Sequence, residues 1–187
     1  MLLNLSLSLL WMIPGAHAEA NWDLPALMQV LAQSPGGEVR FREKKYLAVL
    51  NAPLESRGVL VYQAPGHLEK RTLVPKVENF IIDGDRLRVE NPAKDLRREF
   101  ELSRFPTLWA FVEGFRATLA GDLPVLRRFY RPEFSGERGQ WLLRLTPTEK
   151  GMARMVQEIR ISGQKDQVRS IEVLERNGDH STMTLEP

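Results

Sequence analysis

Residues 54–73 read Leu54-Glu55-Ser56-Arg57-Gly58-Val59-Leu60-Val61-Tyr62-Gln63-Ala64-Pro65-Gly66-His67-Leu68-Glu69-Lys70-Arg71-Thr72-Leu73. The run from Gly58 to Tyr62 is β-branched and aromatic, the composition of a strand, and Ala64-Pro65-Gly66 stops it. Beyond the stop, Leu68, Lys70 and Thr72 alternate with Glu69, Arg71 and Leu73, the period of a further strand. The first of these strands is apolar at both parities: Val59 and Val61 face one way, Leu60 and Tyr62 the other. Each face of the resulting sheet must be covered, or else line a cavity.

The same grammar extends on both sides. Phe41 to Leu50 interleaves aromatic and aliphatic residues with Arg42, Glu43, Lys44 and Lys45, and Asn51-Ala52-Pro53 breaks it. Phe80-Ile81-Ile82 and Leu87-Arg88-Val89 flank Asp83-Gly84, a hairpin signal because glycine accepts the positive φ of such turns. Short strands from Val39 to about Leu102 predict an antiparallel meander rather than βαβ units.

The period changes at Pro106-Thr107. Leu108, Phe111, Val112, Phe115 and Leu119 fall at helical spacing, with Trp109 widening the stripe, Thr107 as cap and Gly121 as stop. Asp122 and Pro124 start a second short helix through Arg128. Strands resume at Phe129 to Phe134, Gln140 to Leu145, Val156 to Ile161 and Val168 to Glu175, and Asn177-Gly178 turns the chain into Ser181 to Leu185. Ahead of the meander, Asp23 caps a short helix with the stripe Leu24, Leu27, Met28 and Leu31, ended by Ser34-Pro35-Gly36-Gly37. The expected fold is α+β: one domain, a curved antiparallel sheet around the apolar helix 108–119. That helix either plugs a filled core or closes a container for an apolar ligand.

The chain has 187 residues, 43% hydrophobic and 27% charged, which suits one globular domain. Lys plus Arg number 26 against 24 Asp plus Glu, a net charge of +2. This balance argues against a dedicated nucleic-acid binder. Arg40, Arg42, Lys44, Lys45, Arg57, Lys70, Arg71 and Lys76 form a basic region, but Glu38, Glu43, Glu55, Glu69 and Glu78 interleave with them as on a solvated face. Cysteine is absent, which removes disulfides, thiolate chemistry and a lipid-modified anchor cysteine. Met1 to Ala18 lack Lys, Arg, Asp and Glu, and an apolar run there ends in Pro14-Gly15 and Ala16-His17-Ala18. That is the pattern of a leader cleaved after Ala18, leaving a domain of residues 19–187. No later segment approaches the ~18 consecutive apolar residues of a membrane span.

Catalytic signals are missing. His67 and His180 lie beside turns and far apart, outside any metal-type spacing, and no nucleophile elbow, Walker loop or dinucleotide fingerprint occurs. Glu99 with Glu101, and Asp83 with Asp85, are carboxylate pairs at strand spacing, more typical of a wet face than of acid/base work. No enzyme activity, metal or cofactor is expected.

Three blocks carry a family likeness. Residues 41–72 contain Phe41-x-Glu43-x-Lys45-x-Leu47, then Pro53-Leu54-x-Ser56-x-Gly58-x-Leu60-x-Tyr62-x-x-Pro65-x-x-Leu68-x-Lys70-x-Thr72. Residues 141–147 read Trp141-Leu142-Leu143-Arg144-Leu145-Thr146-Pro147, and residues 156–185 end in Asn177-Gly178-Asp179 and Thr182-Met183-Thr184-Leu185. In this order, behind an apolar leader, the chain resembles a divergent branch of the LolA-like periplasmic lipoprotein carriers. The resemblance implies a half-open β-barrel covered by helices, which holds acyl chains of a lipoprotein or other lipid between an inner-membrane exporter and an outer-membrane acceptor. It implies a periplasmic, monomeric protein with no stable membrane span and no nucleic-acid partner. On this likeness Trp109, Phe111, Phe115 and Leu119 are lid residues, and Leu60, Tyr62, Leu68 and Leu73 line the barrel. Well-studied carriers of the family place an Arg, bonded to the lid, just before the Pro of the strand-end matching Val61 to Pro65; Ala64 stands there in this chain. The alternative is a non-carrier periplasmic interaction or sensor module whose barrel is filled.

Overall fold

The structure, a computed structural model, describes residues 22–34 and 36–186; the leader expected over residues 1–18 lies outside them. Helix α1 (Leu24–Ala32) begins where the Ala26 amide donates to the Asp23 carboxylate at 3.0 Å, and it buries the expected stripe Leu24, Leu27, Met28 and Leu31. A first meander follows: β1 (Gly36–Tyr46), β2 (Leu54–Gln63), β3 (His67–Val74), β4 (Glu78–Asp83), β5 (Arg86–Asn91) and β6 (Leu96–Glu101). Helices α2 (Pro106–Leu119) and α3 (Leu123–Phe129) interrupt it. A second meander completes the fold: β7 (Tyr130–Glu137), β8 (Gln140–Pro147), helix α4 (Lys150–Met155), β9 (Val156–Gln164), β10 (Gln167–Glu175) and β11 (His180–Glu186).

All these strands form one sheet of 11 antiparallel strands in the order β6-β5-β4-β3-β2-β1-β11-β10-β9-β8-β7. The meanders join through β1 and β11, with Phe41 opposite Leu185 and Glu43 opposite Met183. The sheet is curved and unclosed: β6 and β7 are its edges, and the helical insertion between them lies against the concave face. The single-domain α+β architecture expected from the sequence is present.

Four local expectations are corrected. The first strand ends at Tyr46 rather than Leu50, because a turn bond from the Leu50 amide to the Leu47 carbonyl (2.9 Å) takes the chain out of the ladder. Helix α2 begins at Pro106, whose missing N–H suits a first position; Thr107 lies inside the first turn, and no side chain caps the helix. Phe129 ends α3, so β7 starts one residue later, at Tyr130. Helix α4 was not foreseen. The Glu149 carboxylate nucleates it by accepting from the amides of Gly151 (2.8 Å) and Met152 (2.6 Å), and these bonds lower its pKa.

The main core lies where α1, α2 and α3 cover β7–β10, with Leu27, Leu126 and Leu143 fully buried and Trp141 nearly so. Burying each such side chain stabilises the fold by about 1.5–3 kcal/mol. Helix α2 approaches closely because it turns Ala110, Gly114 and Ala117 toward this core. A Cβ on Gly114 would stand 2.7 Å from the Tyr130 hydroxyl, so only glycine fits. Tyr130 in turn donates to the Ala110 carbonyl at 3.0 Å, and burial pushes its pKa up.

Candidate functional site

Between α2 and the concave face of β1–β5, β10 and β11 the packing stops short. A cavity of about 500 Å³ remains, within the range of small-molecule sites. Its roof is the second face of α2: Leu108, Phe111, Val112, Phe115 and Leu119 recur at i, i+3, i+4, i+7 and i+11 and all line it. Phe111 and Phe115 meet edge-on, with centroids 5.0 Å apart. The strand walls follow from register. Tyr62 pairs with Leu68 and that residue with Ile82, so these three share one row, while Leu60, Lys70 and Phe80 form the next. Ile171 and Met183 close the far wall from β10 and β11.

Of the residues singled out from sequence, Phe111, Phe115, Leu119, Leu60, Tyr62 and Leu68 all line this space. Two do not. Trp109 projects from another side of α2 onto Phe129, with centroids 5.8 Å apart, and remains partly exposed. Leu73 is 55% exposed because it alternates with Glu69 and Arg71 on the face opposite Leu68 and Lys70; it stands as the extra residue of a bulge, with Gly58 paired to Thr72 and Arg57 to Val74. Sequence reasoning missed Phe80, Ile82, Ile171, Val173, Met183 and Leu185. The i,i+2 apolar pairs at 80/82, 171/173 and 183/185 each mark one strand face, and that was the available signal.

Few polar groups enter this wall. Lys70 Nζ stands 2.6 Å from Glu43 Oε2 and 5.2 Å from the centre of the Phe41 ring, and Ser56 Oγ donates to the same Glu43 oxygen at 3.1 Å. Gly58 lies between them in register; a Cβ there would come within 2.9 Å of the Phe41 ring. The Tyr62 hydroxyl is buried without a hydrogen-bond partner among the described residues. Burial raises its pKa, partly offset by Arg116 nearby, so it is neutral.

Arg116 also ties the roof to the barrel. Its guanidinium donates to the Gly84 carbonyl in the β4–β5 turn at 3.0 Å and to Glu113 at 2.8 Å, and lies against Gly66 in the β2–β3 turn. The helix supplies the guanidinium and the barrel turn the carbonyl, while Ala64 leaves the barrel strand-end without one.

The other expected surface groups have structural partners. His67 lies between Asp83 (2.5 Å) and Glu69 (3.9 Å), and His180 stacks on Tyr46. Asp85 accepts from Ser103, Glu99 faces Arg86 and Glu101 faces Arg104, so neither carboxylate pair faces a shared site. Among the described residues no group of three or more His, Asp or Glu is placed to hold a metal ion.

An unclosed antiparallel sheet roofed by an inserted helix over an apolar cavity has a counterpart among known families. The model of the family described as outer membrane lipoprotein carrier protein LolA-like matches residues 16–186. The chain belongs to this family. No curated protein sequence matches significantly. Among solved structures, a LolA superfamily protein from Nitrosomonas europaea is similar at a TM-score of 0.48 and 11% identity, covering 87% of this chain and 90% of that one. A chain from the complex of the CwlD amidase with the GerS lipoprotein of Clostridioides difficile gives 0.42 and 13%, covering 80% and 82%. One from the MucA/MucB complex of Pseudomonas aeruginosa gives 0.42 and 11%, covering 87% of this chain and 55% of that one. This LolA-like chain has no helix among its described residues long and apolar enough to cross a membrane.

Proposed function

We propose that this LolA-like protein holds the acyl chains of a lipoprotein or other lipid in the cavity under α2 and carries them through the periplasm toward the outer membrane, after loss of the leader at residues 1–18. The observation that carries this reading is the cavity itself: about 500 Å³ left unfilled and walled mainly by aliphatic and aromatic side chains. Burial of each methylene contributes about 0.8 kcal/mol, so part of one acyl chain offsets the ordering cost of binding. Phe111, Phe115 and Leu119 serve as the lid; Leu60, Tyr62 and Leu68 serve as the wall. Lid opening exchanges lid–wall contacts for ligand contacts, which keeps binding reversible. An inner-membrane exporter as donor and an outer-membrane acceptor fit a monomeric shuttle of this kind.

Native mass spectrometry of the protein purified from membrane-containing cells tests the proposal. A co-purifying acyl species is expected. A bare chain that also takes up no fluorescent fatty acid overturns carriage and leaves the interaction module. Phe115→Asp and Leu119→Asp should abolish lipid retention with strand content unchanged by circular dichroism; unaltered loading in both removes the lid assignment.

A further inference from the structure

The two ends of the sheet differ in what their connections expose. At one end the turns 63–67, 83–86, 137–140 and 164–167 carry no exposed large hydrophobic side chain. At the other end, where β1 leads to β2 and β3 to β4, six aliphatic side chains stand out: Val49, Leu50, Leu54, Leu73, Val74 and Val77. Register makes them neighbours, since Leu54 pairs with Lys45, and Arg57, on the same strand, pairs with Val74. Val49 is 88% exposed, in a turn closed by the Leu50 amide on the Leu47 carbonyl and fastened by the Ala48 amide on Asp179 at 2.8 Å. Gly, Asn, Asp and Ser are the ordinary occupants of such turns, and a valine so exposed contributes nothing to the core.

The cations of this end are largely unpaired. Arg57, Lys76 in the β3–β4 loop, and Lys150 and Arg154 of α4 are exposed and make no salt bridge among the described residues. Arg176 holds α4 at this end by donating to the Ala153 carbonyl, beside the turn whose Asp179 holds Ala48. The nearby acids are mostly taken. Lys44 binds Glu55, Lys45 binds Glu175 and the Glu149 carboxylate caps α4, which leaves Glu78 unmatched.

We propose that this end of the sheet docks on an anionic bilayer, with the loops 47–53 and 74–77 entering the head-group layer and the unpaired cations meeting lipid phosphates. The apolar side chains sit on the tips of two adjacent loops, and none of the six lines the cavity under α2. A protein partner is held chiefly by aromatic and arginine anchors seated in pockets. A lipid surface instead rewards projecting aliphatic side chains flanked by Lys and Arg, the composition found here. Leu73, which faces away from the cavity, belongs to this contact. The surface is separate from the cavity, so the inference stands whether or not acyl chains are carried.

The test is co-sedimentation of residues 19–187, which contain every described element, with sucrose-loaded vesicles. Vesicles of about 30% phosphatidylglycerol in phosphatidylcholine should bind at least about fivefold more tightly than phosphatidylcholine alone, and about 0.5 M salt should erase the difference. Val49→Asp with Leu50→Asp, and separately Val77→Asp, should weaken binding to both compositions about tenfold or more. Lys76→Gln should lose about fivefold on the anionic vesicles only. Leu60→Trp, which fills the cavity, and Gly139→Asp, at the opposite end, should bind as wild type does. Unchanged circular dichroism in each variant excludes misfolding. Equal binding to the two compositions, binding unmoved in the Val49/Leu50 and Val77 variants, or binding lost in Leu60→Trp overturns the proposal. A wild type that stays in the supernatant overturns it too. A dimer in solution that Val49→Asp dissociates then gives this surface to a second copy, and a monomer gives it to another protein.

Discussion

The concave face of β7–β9 is filled, and the concave face of β1–β5 is left open, although both belong to one continuous sheet and face the same helix. Over β8 and β9, Trp141, Leu143, Leu145 and Ile159 meet α1, α2 and α3 in a single large cluster. Over β1–β5 the buried clusters are small: Phe41 with Met183 and Leu185, and Leu87 with Leu102 and Val112. Helix α2 makes the difference with its two faces. Small residues at 110, 114 and 117 let it sink onto the filled side, and the large ones at 108, 111, 115 and 119 prop it above the open side. The plug and the container, alternatives from sequence, occupy opposite halves of the same sheet. The filled half holds the fold, which frees the open half to exchange contacts.

The sharpest way to break this comparison is to truncate one wall in each half. Trp141→Ala removes a buried ring and its 3.0 Å hydrogen bond to the Lys165 carbonyl, and should cost about 3–5 kcal/mol in denaturant unfolding. Leu60→Ala faces the cavity and should cost about 1 kcal/mol or less, since little packing is lost there; equal losses would contradict the division. Filling the open half comes next. Leu60→Trp should reduce probe uptake about tenfold, with stability retained within about 1.5 kcal/mol. A smaller effect follows from Arg116→Met, which frees α2 from the Gly84 carbonyl. Amide exchange should quicken about fivefold in α2, equivalent to about 1 kcal/mol, and stay unchanged in β8 and β9. Smallest is the pH response at Glu149. Its folded pKa lies below its unfolded value, so its stabilisation is present above the ordinary carboxylate range and is lost as pH falls through the depressed folded value. The melting temperature of wild type should therefore fall more than that of Glu149→Gln between pH ~5 and ~3.

Much of this was legible in residue order. Asp23 with its stripe marked α1, Asp83-Gly84 placed the β4–β5 turn, and the stripe 108–119 predicted α2 and its apolar side while leaving plug or container open. Register was not legible where both parities are apolar, as in Val59 to Tyr62, because alternation then names no inner face. Leu73 went astray although alternation spoke against it: it lies an odd number of residues from Leu68 and Lys70, whose parity faces the cavity, and so points outward. Trp109 belongs to the apolar surface of α2, yet only its neighbours α3 and β7 decide that it meets Phe129. Helix α4 is six residues long with a glycine inside, too short to show a period, and its cap forms through backbone amides. The Glu43–Lys70 pair spans 27 positions and reads in sequence as two more alternating surface charges.

The seam between β1 and β11 has a kinetic consequence. Phe41 and Leu185 are neighbours in the middle of the sheet, yet almost the whole chain separates them. The two meanders can each form from local hairpins, but the sheet becomes continuous only when residues 180–186 arrive. Such distant pairing slows folding. The cavity, walled by β1–β5 on one side and by β10 and β11 on the other, therefore exists only when the two halves lie edge to edge.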